Sequence, residues 1–195
     1  MKDSVTRATI SECSQVAQLI AEAFHALDVA KWLVPDADER ARVLPRNFAI
    51  VAEHALRHGS VYWSAERDAV AVWFPHDGEP LPEIEDYDQR LLAACGEATP
   101  RFQVLDGHFD KAHPHEPHHY AAMLAVSPSR QGRGLGGSLL SHHLDQLDRT
   151  GTPAYLEAAC ARSRELYLRL GFKDLEPFTL PDGPTMYPMW RPAQG

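Results

Sequence analysis

Between Val126 and Leu140 the chain reads VSPSRQGRGLGGSLL, and residues of these types in this order can hold a phosphate. An apolar, strand-like segment, Tyr120 to Val126, feeds a loop dense in Gly and Arg. That loop opens a helix whose apolar positions Leu135, Leu139, Leu140, Leu144 and Leu147 recur at helical spacing. The first amides of a helix have no carbonyl partner within it, and the helix dipole adds positive potential there. Glycines let an anion reach the main chain without a Cβ in the way. A phosphate or pyrophosphate is the ligand that such a turn suits. Groups able to move protons stand nearby in the sequence: His118 and Tyr120 before the loop, Glu157 and Tyr167 after it.

Three phosphate-binding patterns can be held against this loop. A nucleoside triphosphatase loop needs Lys-Ser or Lys-Thr after its last glycine, and here Gly137-Ser138 has no lysine. A dinucleotide-binding turn is met loosely by Gly132, Gly134 and Gly137, but it sits late in the chain and has only Glu157 as an acidic ribose partner. The third pattern, Gln/Arg-x-x-Gly-x-Gly/Ala, is met by Gln131, Gly134 and Gly136. A second segment accompanies it. Pro153 to Ala158 reads as a short apolar strand, and Arg162 to Leu170 as a helix that ends at Gly171-Phe172, a glycine suited to a left-handed cap. The loop resembles the acetyl-CoA pyrophosphate loop of the GNAT N-acetyltransferases, and Leu166-Tyr167 through Gly171-Phe172 resembles their "LYxRxGF" segment. A longer order of segments is similar to the branch of that family that acetylates aminonucleoside antibiotics. It runs from Ala23-Phe24 through Ala69–Trp73, Glu116-Pro117 and Pro153–Glu157 to Leu180–Pro184.

The resemblance implies a fold, a cosubstrate and a site. The fold is mixed α/β, a mostly antiparallel central sheet flanked by helices, as one domain over residues 1–195. The cosubstrate is acetyl-CoA. Its pantetheine arm would run along the backbone of Leu124, Ala125 and Val126, and its pyrophosphate would lie on the amides of Gly132, Arg133, Gly134, Gly136 and Gly137. Gln131, Leu135 and Ser138 frame that turn. Ser163 stands near the place where many members carry an asparagine that holds the arm; capping a helix is the other role open to it. Arg130 and Arg133 are candidates for a charge-assisted contact or for plain solvated charge. Tyr167, at the motif's tyrosine position, would protonate the departing thiolate; otherwise it fills core. The backbone amide of Val126 or a neighbour would donate to the oxyanion.

The base stays open between Glu157 and the start of the central strand, where Pro117-His118-His119-Tyr120 resembles the "HWY" opening of several members with His119 in place of the tryptophan. Alternation puts His118 and Tyr120 on one face and His119 on the other. Such histidines more often sit at a solvent edge. Trp32, Phe24 and Trp73 are candidates for an aromatic acceptor pocket, with core packing the plainer fate of Phe24 and Trp73. His108, His113, His115, His118 and His119 crowd one region, but the proline-broken spacing lacks cysteine and no metal is expected. His142 and His143 read as surface residues of the phosphate helix.

The rest of the chain must position these groups. Val5–Ile10 reads as a strand, and Ser11-Glu12 caps a helix carrying Val16, Leu19, Ile20, Ala23 and Phe24. Lys31–Pro35 is a short helix or turn. Asp36–His58 is helical, with a kink or break at Pro45. Val61–Trp63 and Ala69–Phe74 form a hairpin. A loop at Glu79–Pro82 precedes a variable insert, helical from Leu91 to Ala98, that reaches Asp110. His118–Val126 is the central strand, Gly134–Arg149 the phosphate helix, and Phe172–Leu180 with Thr185–Arg191 a last hairpin. At 195 residues with 44% apolar content, the chain is long enough for a sizeable core. A net charge of −8 argues against nucleic acid or an anionic membrane surface and is compatible with a cationic amine. The three cysteines imply no disulfide framework and fit a reducing cytoplasm. No signal core or membrane span is visible. The expected function is transfer of acetyl from acetyl-CoA to a small-molecule primary amine, an aminonucleoside antibiotic among them. An acyl-CoA-binding sensor or scaffold and a protein N-acetyltransferase are the alternatives. Oligomeric state cannot be read from the sequence.

Overall fold

The computed structural model describes residues 5–78 and 80–194. Eight strands form one sheet in the order β1-β2-β3-β4-β5-β8-β6, with β7 also paired to β8. They are β1 (Thr6–Arg7), β2 (Ser60–Trp63), β3 (Ala69–His76), β4 (His118–Val126), β5 (Ala154–Ala158), β6 (Lys173–Asp174), β7 (Phe178–Thr179) and β8 (Thr185–Arg191). Every pairing is antiparallel except β4 with β5. That parallel step needs a crossover, and α6 (Leu135–Thr150) supplies it.

One face of the sheet is covered by α1 (Cys13–Phe24), α2 (Asp28–Leu33), α3 (Ala37–His58), α4 (Tyr87–Cys95) and α5 (Thr99–Ala112). The other carries α6 and α7 (Ala161–Arg169). Strand β3 is buried on both sides from Ala69 to Phe74, as a strand between two helical layers must be. Val70, Val72 and Phe74 meet the first layer; Ala69, Ala71 and Trp73 meet the second.

The N-terminal strand is shorter than its sequence suggests. Thr9 already belongs to a cap, in which the Glu12 carboxylate accepts from the Thr9 amide at 2.8 Å and from its hydroxyl at 3.0 Å. Helix α3 starts on Asp36, whose carboxylate accepts from the Glu39 amide at 2.7 Å. It does not break at Pro45. A proline inside a helix costs about 3 kcal/mol, and the buried row Val43, Leu44, Phe48, Ile50, Ala52 and Ala55 outweighs that penalty. The insert holds a helix unforeseen in the sequence, α5, with Pro100 in its first turn and Phe102 and Leu105 buried. The final strand is tied down by Arg191, which donates to the Leu170 carbonyl at 2.9 Å and grips both oxygens of Asp148 on α6.

Candidate active site

The site is built where β4 leaves β5. These strands pair only at His119–Ala154 and Tyr120–Tyr155. Against β3, Val72 pairs with Met123 but Trp73 pairs with Ala121, so Ala122 is an extra residue and β4 bulges there. Beyond the bulge β4 follows β3 and leaves β5. The phase of the antiparallel ladder is set by the Ser127 amide, which donates to the Asp68 carbonyl at 2.8 Å. Alternation then commits the main-chain groups of Ala125 to Val70 and turns those of Leu124 and Val126 toward the gap. Ala125, expected to offer its backbone, is therefore already paired. The Val126 carbonyl accepts from Gln131 Nε2 at 3.2 Å.

At the end of β4 the chain turns into α6 through Gly134, which caps the helix with φ +84°. A side chain there would be strained although space is free. Gly136 is needed for a different reason: a Cβ would stand 3.2 Å from Leu124 Cδ2. The first helical bond is from the Ser138 amide to the Gly134 carbonyl, at 3.0 Å, so the amides of Leu135, Gly136 and Gly137 point out of the helix end.

A cavity of about 530 Å³ joins these features. Leu124 and Val126 form one wall, and the turn from Gln131 through Gly132 and Gly134 to Gly137 forms another. Cys160, Ser163 and Tyr167 of the α7 segment close it. Ala23 near the end of α1 and Leu27 just before α2 carry it through the split sheet toward the other layer. Ser138 does not line it, and neither does Arg133, whose side chain is exposed. Arg130 lines it but its guanidinium is held by Asp68 at 2.6 Å. Arg162 went unnoticed in the sequence. It reaches across from α7 to Gln131 Oε1 at 3.3 Å and lies against Gly132. Its place in the first turn of a helix, where a cation opposes the dipole, was the available signal. The Ser163 hydroxyl donates back to the Cys160 carbonyl at 2.9 Å, a bond within the first turn of α7.

Tyr167 is buried in the layer under α6 and its hydroxyl makes no hydrogen bond among the described residues. Burial raises its pKa above the usual phenol range, so it keeps its proton at neutral pH. Glu157 projects from β5 toward the other layer and receives the Tyr120 hydroxyl on Oε2 at 2.8 Å. Its Oε1 is buried with no partner. Burial pushes the carboxyl up to about 7, and the phenols of Tyr120 and Tyr155 offset only part of that. The Tyr120 phenol is raised too, first by burial and then by the carboxylate.

His118 is not placed to act as a base. It is fully buried and both of its ring nitrogens are already engaged. Its ring meets the Glu116 carbonyl at 2.6 Å and His113 Nε2 at 3.1 Å, and it stacks on His76. His119 lies on the opposite face, 3.0 Å from His143 Nε2. His143 is buried rather than on the surface, and its Nδ1 lies 3.2 Å from the Tyr62 hydroxyl. The aromatic candidates are used elsewhere. Phe24 packs edge-on against Phe48, Trp73 is buried under α6, and Trp32 donates to the Pro181 carbonyl at 2.9 Å. Among the described residues no group of three or more His, Cys, Asp or Glu is disposed to hold a metal ion. Nor is any helix long and apolar enough to cross a membrane.

A strand that bulges away from its parallel neighbour, with a glycine-capped helix at its end, makes a site suited to a phosphate-bearing ligand with an amide-bearing arm. The chain belongs to the acetyltransferase (GNAT) family, whose profile matches residues 27–172. Among solved structures it is similar to a protein from Corynebacterium glutamicum described as "histone acetyltransferase HPA2 and related acetyltransferase". Identity there is 27%, coverage is 100% of this chain and 98% of that one, and the TM-score is 0.75. It shares the fold of arylalkylamine N-acetyltransferase 2 from Aedes aegypti, at 14% identity, 98% and 99% coverage and TM-score 0.67. The same holds for a Drosophila melanogaster polyamine N-acetyltransferase that forms N-acetylagmatine, at 15% identity, 97% and 99% coverage and TM-score 0.57. The chain is an acetyl-CoA-dependent N-acetyltransferase.

Proposed function

We propose that the protein acetylates the primary amine of a small molecule by direct attack, without an acetylated enzyme. The observation that carries this reading is Glu157: a carboxylate with one buried, unpartnered oxygen, titrating near neutrality, beside the gap between β4 and β5. The residues present fit acetyl-CoA. The outward amides of Leu135, Gly136 and Gly137, with Arg162 behind them, suit its diphosphate, and the main chain of Leu124 with the amide of Val126 suits its amide-bearing arm. Bound there, it supplies an activated acetyl group.

Glu157 takes the proton that leaves the attacking nitrogen. The Leu124 amide, nearer than Val126 to Glu157 along the strand, donates to the carbonyl oxygen as negative charge grows on it. Tyr167 gives its hydroxyl proton to the departing sulfur and is recharged from solvent through the cavity.

The acceptor is a small amine. The segment order from Ala23-Phe24 to Leu180–Pro184 is similar to that of puromycin N-acetyltransferase, which makes puromycin the first acceptor to assay. The net charge of −8 favours a cationic acceptor over nucleic acid, and three unpaired thiols fit a reducing compartment such as the cytoplasm. The experiment is thiol release from acetyl-CoA with puromycin and a panel of aryl, alkyl and polyamine acceptors. Turnover with one or more supports the reading. Tight acetyl-CoA binding with no turnover on any of them would favour a sensor, and turnover only on a peptide amino terminus would favour a protein acceptor.

A further inference from the structure

A second cavity, of about 560 Å³, lies on the face covered by α3, α4 and α5. That volume is in the range of small-molecule sites, roughly 300–1,000 Å³. Phe74, Ile84, Phe109 and the ring of Tyr120 give it apolar and aromatic walls. Asp106 and Asp110, one turn apart on α5, give it negative charge. Among the described residues no Lys or Arg lines it. Burial lowers the pKa of His54, His76 and His113, so these imidazoles are neutral and do not repel a cation.

Asp106 is half-buried and receives the Tyr87 hydroxyl on Oδ2 at 2.8 Å, while its Oδ1 has no partner among the described residues. Burial, helped by Asp110, raises its pKa, a penalty that a cation seated beside it would offset. Tyr120 joins this cavity to the chemistry. Its ring is part of the wall and its hydroxyl touches Glu157 at 2.8 Å. None of Phe24, Trp32 or Trp73 lines this cavity or the first one, so recognition here falls to these two carboxylates and these rings.

We propose that this cavity seats the acceptor, and that the acceptor class is an aromatic amine with a second cationic group. The ring packs among Phe74, Phe109 and Tyr120, the second cation pairs with Asp106 and Asp110, and the reacting amine is presented to the Tyr120–Glu157 pair. This rests on the proposed acetylation of small amines, so the test includes a measurement that needs no turnover.

Calorimetry compares an arylalkyl monoamine with the same molecule bearing a second, distal amine, on the full chain saturated with CoA. The diamine should bind at least about tenfold more tightly, the scale of one well-placed ion pair in a partly desolvated site. Asp106→Asn, which keeps an acceptor for Tyr87, should remove most of that preference, and so in smaller measure should Asp110→Asn at its more exposed position. In the thiol-release assay the same variants should raise KM for the diamine with little change in kcat or in KM for acetyl-CoA. No diamine binding, or a preference that survives both substitutions, overturns the proposal. If diamines bind with the expected preference but none is acetylated, the cavity stands and the acetyltransferase reading of small amines falls.

Discussion

Replacing Glu157 with glutamine should inactivate the enzyme and stabilise its fold, and the stabilisation should grow with pH. The Glu157 carboxyl moves from an ordinary 4.5 to about 7 on folding, because folding strips it of water and the phenols of Tyr120 and Tyr155 compensate only in part. A raised carboxyl pKa means that the folded chain holds a proton that the unfolded chain has lost. Stability is therefore complete below 4.5 and declines as pH rises to about 7. Integrating over that window gives a loss of about 1 kcal/mol at pH 5, about 2 at pH 6 and about 3 at pH 8. Glutamine has no such proton to lose, so the gap between variant and parent should widen by roughly 2 kcal/mol from pH 5 to pH 8. For a chain of this size that is about 4–8 °C in melting temperature. Activity moves the other way: loss of a general base lowers kcat by about 10²–10⁴-fold. The parent's kcat/KM should rise with pH through a limb near 7 that the variant lacks. Scanning calorimetry across pH, paired with thiol-release kinetics, reads both. Melting temperatures that track each other in parallel from pH 5 to pH 8 would show that Glu157 is not held in a desolvating site, and its role as base would fall with that.

Three further outcomes follow from the same geometry. Tyr167→Phe removes only the hydroxyl that opens on the cavity, so kcat should fall about 10²-fold with KM for acetyl-CoA nearly unchanged; unchanged kcat would return Tyr167 to a packing role. Gly136→Val puts branched carbon where even a Cβ stands 3.2 Å from Leu124, so β4 and α6 must part and KM for acetyl-CoA should rise about tenfold or more, measured against a melting curve that confirms folding. The buried His143 imidazole is pulled down to about 3. The unfolded chain therefore binds a proton below 6.5 that the folded chain refuses, and stability falls as pH drops. His143→Gln should flatten the acid limb of urea stability by about 1 kcal/mol between pH 6 and pH 5, and an unaltered slope would mean that the ring is hydrated.

Local chemistry made parts of this molecule legible from residues alone. The strand from His118 to Val126 and the helix after Gly134 announce themselves through an apolar run, a glycine turn and leucines at helical spacing. The placement of His118 and Tyr120 on one face and His119 on the other follows from the two-residue period of a strand. What stayed hidden depends on partners distant in sequence. Pro45 reads as a breaker until the apolar row around it is seen against α1 and the sheet. Helix α5 hides because Gly107 and His108 interrupt its apolar face, and Phe102 and Leu105 find their contacts only in the folded layer. His143 reads as a surface residue because nothing local shows that Tyr62 and His119 will close over it. Arg130 cannot be assigned without knowing that the β2–β3 turn delivers Asp68 to it.

The bulge at Ala122 explains why the pieces work only together. In a regular ladder β4 would stay paired with both neighbours, and the main chain of Leu124 and Val126 would be consumed by β5 as that of Ala125 is consumed by β3. One inserted residue bends the strand away, so the same amides are free at the level where Glu157 stands on β5. The insertion also resets the side-chain phase. Ala121 faces the α6 layer, Ala122 and Met123 both face the α1 layer, and Leu124 faces α6 again. Tyr120, before the bulge, therefore points toward Glu157, while Leu124, beyond it, packs under Gly136. Without the extra residue one of these two contacts would be on the wrong side of the sheet, because a one-residue slip exchanges the faces. The proton-accepting carboxylate and the glycine-capped helix are thus coupled through a single strand, whose irregularity matters more to the site than any one side chain along it.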